Sequence, residues 1–334
     1  MVQPFTLTSN ILAQVAKISL LLGKYEGLHA QAPQPKLRRT NRIKTIQGSL
    51  AIEGNSLDLE QVTTVFENKR VLGPKKDILE VKNAIRLYEL LPKLNPTSSK
   101  DLLKSHGILM QGLAFNAGKF RSGSVGIFKG SKVSHIAPPA SRVPGLMEDL
   151  FLFLKKEKEL SPLVQACIFH YELEFIHPFT DGNGRMGRFW QQLILTRHHA
   201  TFEYISVESV IRERQQLYYE ALEKSDKTGN STLFIEFMLN CLRSSLEEFL
   251  DQVKPVPETP ESRLSLAQEK FQNKEFTRKD YLYFFKSLST ATASRDLALG
   301  VSKLVLQKSG ARALTRYRFS IFSILRMRRK ITDS

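Results

Sequence analysis

Residues 177–188, with the sequence HPFTDGNGRMGR, constrain the fold more than any other part of this chain. Apolar residues recur at helical spacing on both sides of this stretch, which predicts one helix before it and one after it. Pro178 interrupts the first helical pattern, and Gly182 and Gly184 favour a tight backbone turn. The sequence therefore predicts a short loop between two helices, with the second helix starting near Gly184.

The side chains of this loop suit chemistry on phosphates. Free backbone N–H groups and the positive end of the dipole at the start of the second helix would face the loop. Arg185 and Arg188 are neighbours on the first turn of that helix, and a guanidinium group matches phosphate oxygens. Asp181 offers the oxygen ligand that Mg²⁺ prefers, and His177 offers an imidazole suited to proton abstraction. Together these groups predict phosphoryl or nucleotidyl transfer.

Every fixed position of the stretch matches H-P-F-x-D/E-G-N-G-R-x-x-R, and on these residues the chain resembles Fic-domain proteins. The resemblance implies transfer of AMP from ATP to a Ser, Thr or Tyr hydroxyl of a target protein, with release of pyrophosphate. It also implies a catalytic base at His177 and an Mg²⁺ ligand at Asp181. The implied nucleotide contacts are Gly182, Asn183, Gly184, Arg185, Met186, Gly187 and Arg188. Of the two arginines, Arg185 would contact the β-phosphate and Arg188 the γ-phosphate.

A second motif lies upstream, at residues 49–54 (SLAIEG), and is similar to the inhibitory helix of Fic proteins, S/T-x-x-x-E-G/N. The resemblance implies that Glu53 forms an ion pair with Arg188 and so belongs to the nucleotide site. A carboxylate there would occupy the position of the γ-phosphate, and ATP would then lack its productive geometry. The alternative is a glutamate without a partner at a helix end, since Gly54 and Asn55 are good helix-stop residues.

Two further segments resemble parts of the Fic fold. Two short β-prone runs within residues 124–136 resemble the flap, where a target protein would pair as an additional strand. An ordinary surface hairpin is the alternative for this segment. Further along, Tyr219 resembles the wall of the adenine pocket, whereas Tyr218 is expected to face the core.

The predicted fold class is mainly α, with a Fic-type helical core, a small β-hairpin flap and a C-terminal winged helix-turn-helix domain. We expect an N-terminal helical region with the inhibitory helix (1–94) and a Fic catalytic domain (95–250). A proline-rich linker (251–263) would lead to a winged-helix-like domain (264–334), whose recognition helix would start at Thr290. The inhibitory helix is expected to start near Arg39, because Pro33 and Pro35 argue against helix before it.

The charge of the chain predicts an anionic partner. The formal net charge is +16, and residues 264–334 contain fifteen Lys and Arg against five Asp and Glu. Four of these basic residues lie in a tail at 326–330. DNA is therefore the predicted partner of the C-terminal domain, and a winged-helix fold used for protein contacts is the alternative.

The cellular setting is predicted from cysteines and hydropathy. Cys167 and Cys241 lie in apolar helical patterns and suit buried thiols in a reducing compartment. The sequence contains no run of about 18 apolar residues of the kind that spans a bilayer. We therefore expect a cytoplasmic protein without membrane association, and the sequence leaves open whether it forms a homo-oligomer.

Two other functions are compatible with the same motifs. If Glu53 aligned a water molecule, the site could remove AMP from a modified protein instead of adding it. Alternatively, the chain could be a DNA-binding regulator whose Fic site only senses nucleotide. The complete motif, including His177, favours an active transferase.

Overall fold

The structure is a computed structural model. It describes residues 4–27, 35–123, 126–129, 132–253, 259–285, 288–311 and 315–320, with the backbone alone for residues 126–129 and 132–136. The chain divides into two compact units, Met1–Val253 and Lys254–Ser334. The helical region predicted for residues 1–94 and the catalytic domain predicted for 95–250 lie together in the first unit.

The first unit is built almost entirely of α-helices. Over its described residues the helices are α1 (Ser9–Gly27), α2 (Pro35–Ile52), α3 (Leu59–Phe66), α4 (Lys75–Leu90), α5 (Ser99–Leu109), α6 (Val143–Lys156), α7 (Pro162–Ile176), α8 (Asn183–His198), α9 (Val207–Glu213), α10 (Gln215–Thr228) and α11 (Thr232–Val253). The mainly α fold class is confirmed. Helix α2 starts at Pro35, earlier than predicted, because proline is tolerated in the first turn of a helix.

Helices α7 and α8 form the centre of the first unit. Trp190 of α8 is fully buried, and its indole N–H donates to the carbonyl of Pro96 at 2.9 Å. The two helices approach closely at Gly187, where a Cβ atom would lie only 2.7 Å from the ring of His170. This close packing holds the ends of the two helices, and therefore the loop between them, in a fixed arrangement.

A small antiparallel sheet precedes α6. Its strands are β1 (Gly126–Lys129) and β2 (Lys132–Ile136), and their register shifts between Ile127 and Phe128. The predicted hairpin is confirmed, although residues 124, 125, 130 and 131 lie outside the described residues. In a sheet of two strands each strand keeps one edge that the other strand does not pair, so its backbone groups there can accept a further strand.

The second unit has its own core. Its described elements are α12 (Pro260–Phe271), α13 (Arg278–Phe284), α14 (Thr290–Ser302), β3 (Leu306–Ser309) and β4 (Arg316–Phe319). A bridge from Phe276 to Tyr317 adds a short third strand segment to the β3–β4 hairpin. The predicted order of three helices followed by a hairpin is confirmed, whereas the basic tail at 326–330 lies outside the described residues.

A buried ion pair joins two helices of this core. Asp296 of α14 is fully buried and accepts from Arg263 of α12 at 2.6 and 2.7 Å. Tyr281 of α13 donates to the same carboxylate at 3.2 Å. Because all three helices contribute to one satisfied polar network, the orientation of α14 relative to α12 and α13 is well specified.

The structure shows the surroundings of both cysteines and the apolar character of the helices. Cys167 and Cys241 are free and fully buried, and burial raises the pKa of the Cys241 thiol to about 12. Among the helices of the described residues, none combines the length and the apolar composition that a membrane span requires.

Candidate active site

The predicted loop connects α7 to α8 through two residues with left-handed backbone conformations. His177 caps the end of α7 at φ 48° and ψ 61°, and Gly182 precedes α8 at φ 84°. The side chain of Asn183 closes the turn: its oxygen accepts from the N–H of Phe179, and its amide donates to the carbonyl of Phe179, both at 2.9 Å. The Asn183 side chain is thus occupied within the loop, and its backbone N–H is the group left for the predicted phosphate contact.

The ring of His106, in α5, packs against the loop and forms a hydrogen bond with its backbone. Its ring stacks on Phe179 with the ring centroids 3.7 Å apart. The Nδ1 atom accepts from the N–H of Gly118 at 2.9 Å, so the proton is on Nε2, which donates to the carbonyl of Asp181 at 2.9 Å. Burial lowers the pKa of His106, which favours this neutral form. The sequence did not single out His106 because its partners are backbone atoms distant along the chain.

Arg121 connects the loop to both ends of the β1–β2 hairpin. Its side chain is almost fully buried and donates to the carbonyl of His177 at 2.7 Å, to Gly123 at 2.8 Å and to Pro138. A further bond reaches Ile176 at 3.3 Å. The guanidinium group therefore satisfies carbonyls at the negative end of α7 and ties the loop between α7 and α8 to the base of the hairpin.

We expect Arg121→Lys to destabilise the first unit and to slow the labelling by ATP that the resemblance to Fic proteins implies. A lysine has its three donors on one atom and cannot span these separated carbonyls, so about 1–3 kcal/mol of unfolding free energy should be lost. Urea unfolding and ATP labelling of the purified protein measure the two effects. The matched control is Arg197→Lys, since Arg197 donates to the carbonyls of Leu91, Pro92 and Leu94. A loss of labelling no greater than that of the control would contradict this role.

Arg185 lies between two carboxylates at the start of α8. It donates to Glu80 of α4 at 3.1 Å and to Asp181 at 2.9 Å, while its Nε atom has no partner among the described residues. Glu80 also accepts from the side chain of Asn55 at 2.8 Å, which connects the end of α2 to the loop. Two anionic partners hold the Arg185 side chain in one position, and Glu80 is a part of the site that the sequence did not reveal.

The structure places Glu53 against Arg188, as the motif at residues 49–54 predicted. The Glu53 carboxylate accepts from Arg188 at 2.7 Å, and Ser49 binds the same guanidinium through its hydroxyl at 3.2 Å and its carbonyl at 3.0 Å. The Arg188 side chain is 1% exposed and that of Glu53 is 32% exposed. One nitrogen of Arg188, Nη1, is buried and has no hydrogen-bond partner among the described residues. Within the described part of the chain, this nitrogen is therefore a buried donor without a hydrogen bond, which is uncommon in folded proteins.

Two titratable groups near Arg188, His170 and Glu174, are largely neutral at pH 7. Burial, with help from the nearby Arg188 charge, lowers the pKa of His170 to about 3. Burial and the charge of Glu53 raise the pKa of Glu174 to about 8, so this carboxyl is largely protonated at pH 7. Burial alone would lower the pKa of Arg188, but the facing Glu53 carboxylate raises it above its ordinary value. The ion pair with Glu53 therefore provides the main compensation of this buried cation.

Glu53 covers the first turn of α8 as well. A Cβ atom at Gly184 would clash with the Oε1 atom of Glu53, so the carboxylate lies directly on the backbone at the helix N-terminus. That is the position where the free N–H groups and the dipole of a helix attract an anion. The carboxylate of Glu53 thus occupies the anion site that the loop forms.

The remaining predicted site residues differ in their surroundings. Tyr219 is 38% exposed and donates to the carbonyl of Ile52 at 3.2 Å, next to Glu53. Tyr218 is buried, as expected, and bonds to His170 at 3.1 Å. Met186 is fully buried in the core and Gly187 faces α7. Both residues are buried, so the structure exposes neither of them for the nucleotide contacts that the motif predicted.

The loop between α7 and α8 contains one carboxylate that could bind a metal ion, that of Asp181. The described residues contain no cluster of three or more His, Cys, Asp or Glu side chains that could hold an ion by themselves. The Asp181 side chain is 56% exposed, and one of its oxygens accepts from the N–H of Gly182 at 2.6 Å. A single accessible carboxylate fits the way Mg²⁺ is held when substrate phosphates and water supply the other ligands.

Comparisons with known proteins agree with this geometry. The Fic/DOC family model matches residues 96–195. The protein adenylyltransferase Fic of Nematostella vectensis is 31% identical over 230 residues, which cover 65% of this chain and 51% of that protein. The protein adenylyltransferase fic-1 of Caenorhabditis briggsae is 28% identical over 238 residues, covering 68% and 44%. The chain thus spans about half the length of the curated relatives it matches.

One solved structure extends the similarity over nearly the whole chain. A Fic family protein from Desulfovibrio desulfuricans G20 is 41% identical, with a TM-score of 0.73, over 96% of this chain and 98% of that protein. The Fic-1 structure from C. elegans has a TM-score of 0.61 over 73% of each chain, and at 22% identity it shows a shared fold alone.

Proposed function

The chain belongs to the Fic family, and from this membership we propose that it is a protein adenylyltransferase. In this proposal it transfers AMP from ATP to a Ser, Thr or Tyr hydroxyl of a target protein and releases pyrophosphate. Relatives that carry the name protein adenylyltransferase support it. The observation that carries it is the loop itself, which joins His177 at the end of α7 to the N-terminus of α8, a helix whose buried side chains include Arg185 and Arg188.

The proposed reaction needs little covalent chemistry from the protein. The imidazole of His177 takes the proton of the target hydroxyl, whose oxygen attacks the α-phosphorus of ATP. A new P–O bond forms, the bond to the pyrophosphate oxygen breaks, and pyrophosphate leaves. The N–H groups at the start of α8, together with Arg185 and Arg188, neutralise the negative charge of the phosphates. Asp181 would hold Mg²⁺, which adds positive charge to the same phosphates.

Autoinhibition follows from the pairing of Arg188. Its buried guanidinium pairs with the Glu53 carboxylate at 2.7 Å, and Glu53 also covers the backbone of Gly184. A γ-phosphate would need the same guanidinium and the same helix end. We therefore propose that Glu53 keeps the enzyme in a state with low transfer activity, and that displacement of Glu53 activates it.

The target protein is proposed to bind at the hairpin. An unpaired strand edge can hold an extended target segment through backbone hydrogen bonds. Arg121 ties the ends of this hairpin, at Gly123 and Pro138, to the carbonyl of His177. A target strand on the hairpin would thus be held in a fixed relation to the proposed base.

The two free, buried cysteines suit a reducing compartment such as the cytoplasm.

The position of the radioactive label in ATP tests the proposed reaction. We expect ATP labelled at the α-phosphate to label protein in the presence of Mg²⁺, and ATP labelled at the γ-phosphate to leave it unlabelled. The reason is that the γ-phosphate departs within pyrophosphate. Protein gel autoradiography measures the incorporation, and chelation of Mg²⁺ should abolish it. Protein labelled from the γ-phosphate would indicate a kinase, and release of AMP without protein labelling would indicate a nucleotide hydrolase.

A further inference from the structure

The second unit has a wide groove between α13, α14 and the β3–β4 hairpin. Its volume is about 1030 Å³. Thr290, Ser294 and Ala298 line its α14 side, at a spacing of four residues along one face of the helix. The Ser294 hydroxyl donates to the carbonyl of Thr290 at 2.9 Å and accepts from Arg278 of α13 at 3.0 Å.

The charges at the groove have one sign. Arg278 and Lys279 line it from α13, and Lys308 lines it from β3. Its described lining residues include no carboxylate. Two acidic side chains of the same unit have their own partners: Asp280 accepts from Thr277 at 2.8 Å, and Glu275 accepts from Arg316 at 3.4 Å. The groove is therefore a cationic surface, and its charge agrees with the large basic excess of residues 264–334.

The shape of the groove favours duplex DNA over RNA. A continuous helix, α14, presents short polar side chains between two cationic elements. The major groove of B-form DNA admits an α-helix, whereas the major groove of A-form RNA is too narrow and deep for one. Cations on both sides of such a helix can contact the phosphates that border the major groove.

We propose that this groove binds duplex DNA, with α14 in the major groove and Lys279 and Lys308 on the phosphates at either side. The sequence predicted a recognition helix that starts at Thr290, and the proposal adds the groove and the two lysines that would contact the phosphates beside it. It does not depend on AMP transfer, because the contact lies entirely within the second unit. Loss of AMP transfer would leave DNA binding intact, and loss of DNA binding would leave AMP transfer intact.

Salt-dependent binding of the 334-residue chain to a short fluorescent DNA duplex tests this proposal. The variant combines Lys279→Ala with Lys308→Ala, and the matched control combines Lys270→Ala with Lys274→Ala in the same unit. Each phosphate contact contributes about 0.9 to the slope of log affinity against log salt, so the groove variant should lose about 1.8 from the slope. At about 100 mM salt it should bind roughly 10- to 60-fold more weakly. The control should keep the wild-type slope.

A second variant checks the location of the contact independently of the lysines. Ala298→Glu places a carboxylate inside the groove, and Ala16→Glu makes the same change on the exposed side of α1. Anisotropy should show weak DNA binding for the first variant and wild-type binding for the second. Equal losses for the two lysine pairs would overturn the proposal, and so would tighter binding to duplex RNA. Unchanged thermal unfolding of each variant is the accompanying control.

Discussion

His177→Ala is expected to slow protein labelling from ATP by roughly 10²–10⁴-fold, the range that a general base contributes. ATP binding should remain, because the groups proposed to hold the phosphates lie on α8 and do not include the imidazole. The measurement uses ATP labelled at the α-phosphate, and calorimetric titration measures ATP binding in parallel. Rates should be compared in a Glu53→Gly background, where the proposed inhibition is removed.

Two control variants accompany this substitution. His198→Ala makes the same change at an exposed position near the end of α8, and it should label at the parent rate. His177→Asn removes the imidazole but supplies a residue that tolerates the left-handed conformation at this position, where φ is 48°. Loss of labelling in His177→Asn would therefore reflect the missing base and not backbone strain. Labelling by His177→Ala within about threefold of the parent rate would refute the proposed base, since that lies far below the contribution of general base catalysis.

The sequence predicted the parts of the site that short motifs define. Pro178 and the loop glycines correctly predicted the helix–loop–helix arrangement, and the motif around Glu53 predicted its ion pair with Arg188. Both predictions depend on residue types that have few alternatives at their positions. The order of elements in the second unit was predictable for a similar reason, since its helix caps and β-prone runs are local signals.

The supporting residues could not be predicted in the same way. His106 and Arg121 act through carbonyls and N–H groups of residues distant along the chain, and no side-chain pattern marks a backbone partner. Glu80 did leave a signal: it shares a face of α4 with Ala84 and Leu87, where a carboxylate is unexpected unless it has a cationic partner. The burial of Met186 and Gly187 also required the structure, because the motif does not tell which of its residues face the core.

Glu53→Gly is expected to raise protein labelling by roughly 10- to 150-fold, which corresponds to about 1.5–3 kcal/mol for hydrogen bonds to a charged group. The substitution removes the carboxylate that pairs with Arg188 and uncovers the backbone of Gly184. Ser49→Ala is the matched control, because it removes a second ligand of Arg188 and leaves the carboxylate in place. Initial labelling rates of the three proteins at equal ATP concentration measure the effect, and Ser49→Ala should stay near the wild-type rate.

Thermal unfolding gives a readout of the same substitution that does not depend on catalysis. Without nucleotide, Glu53→Gly leaves the buried guanidinium of Arg188 uncompensated, so its melting temperature should fall. ATP supplies an anion to that guanidinium, and the shift in melting temperature on adding ATP should therefore be larger in Glu53→Gly than in the wild type. An equal ATP-induced shift in the two proteins would show that Glu53 does not compete with the nucleotide.

The direction of the change in activity also separates transfer from removal of AMP. If Glu53 aligned a water molecule for hydrolysis, the wild type would release AMP from a modified protein and Glu53→Gly would lose that activity. If Glu53 only blocks the γ-phosphate, Glu53→Gly gains transfer, and neither protein releases AMP from a modified target. The Glu53 carboxylate accepts from Arg188 at 2.7 Å, and the Glu53 side chain as a whole is 32% exposed. A labelling rate that does not rise in Glu53→Gly, combined with loss of AMP release, would assign Glu53 to hydrolysis and remove it from inhibition.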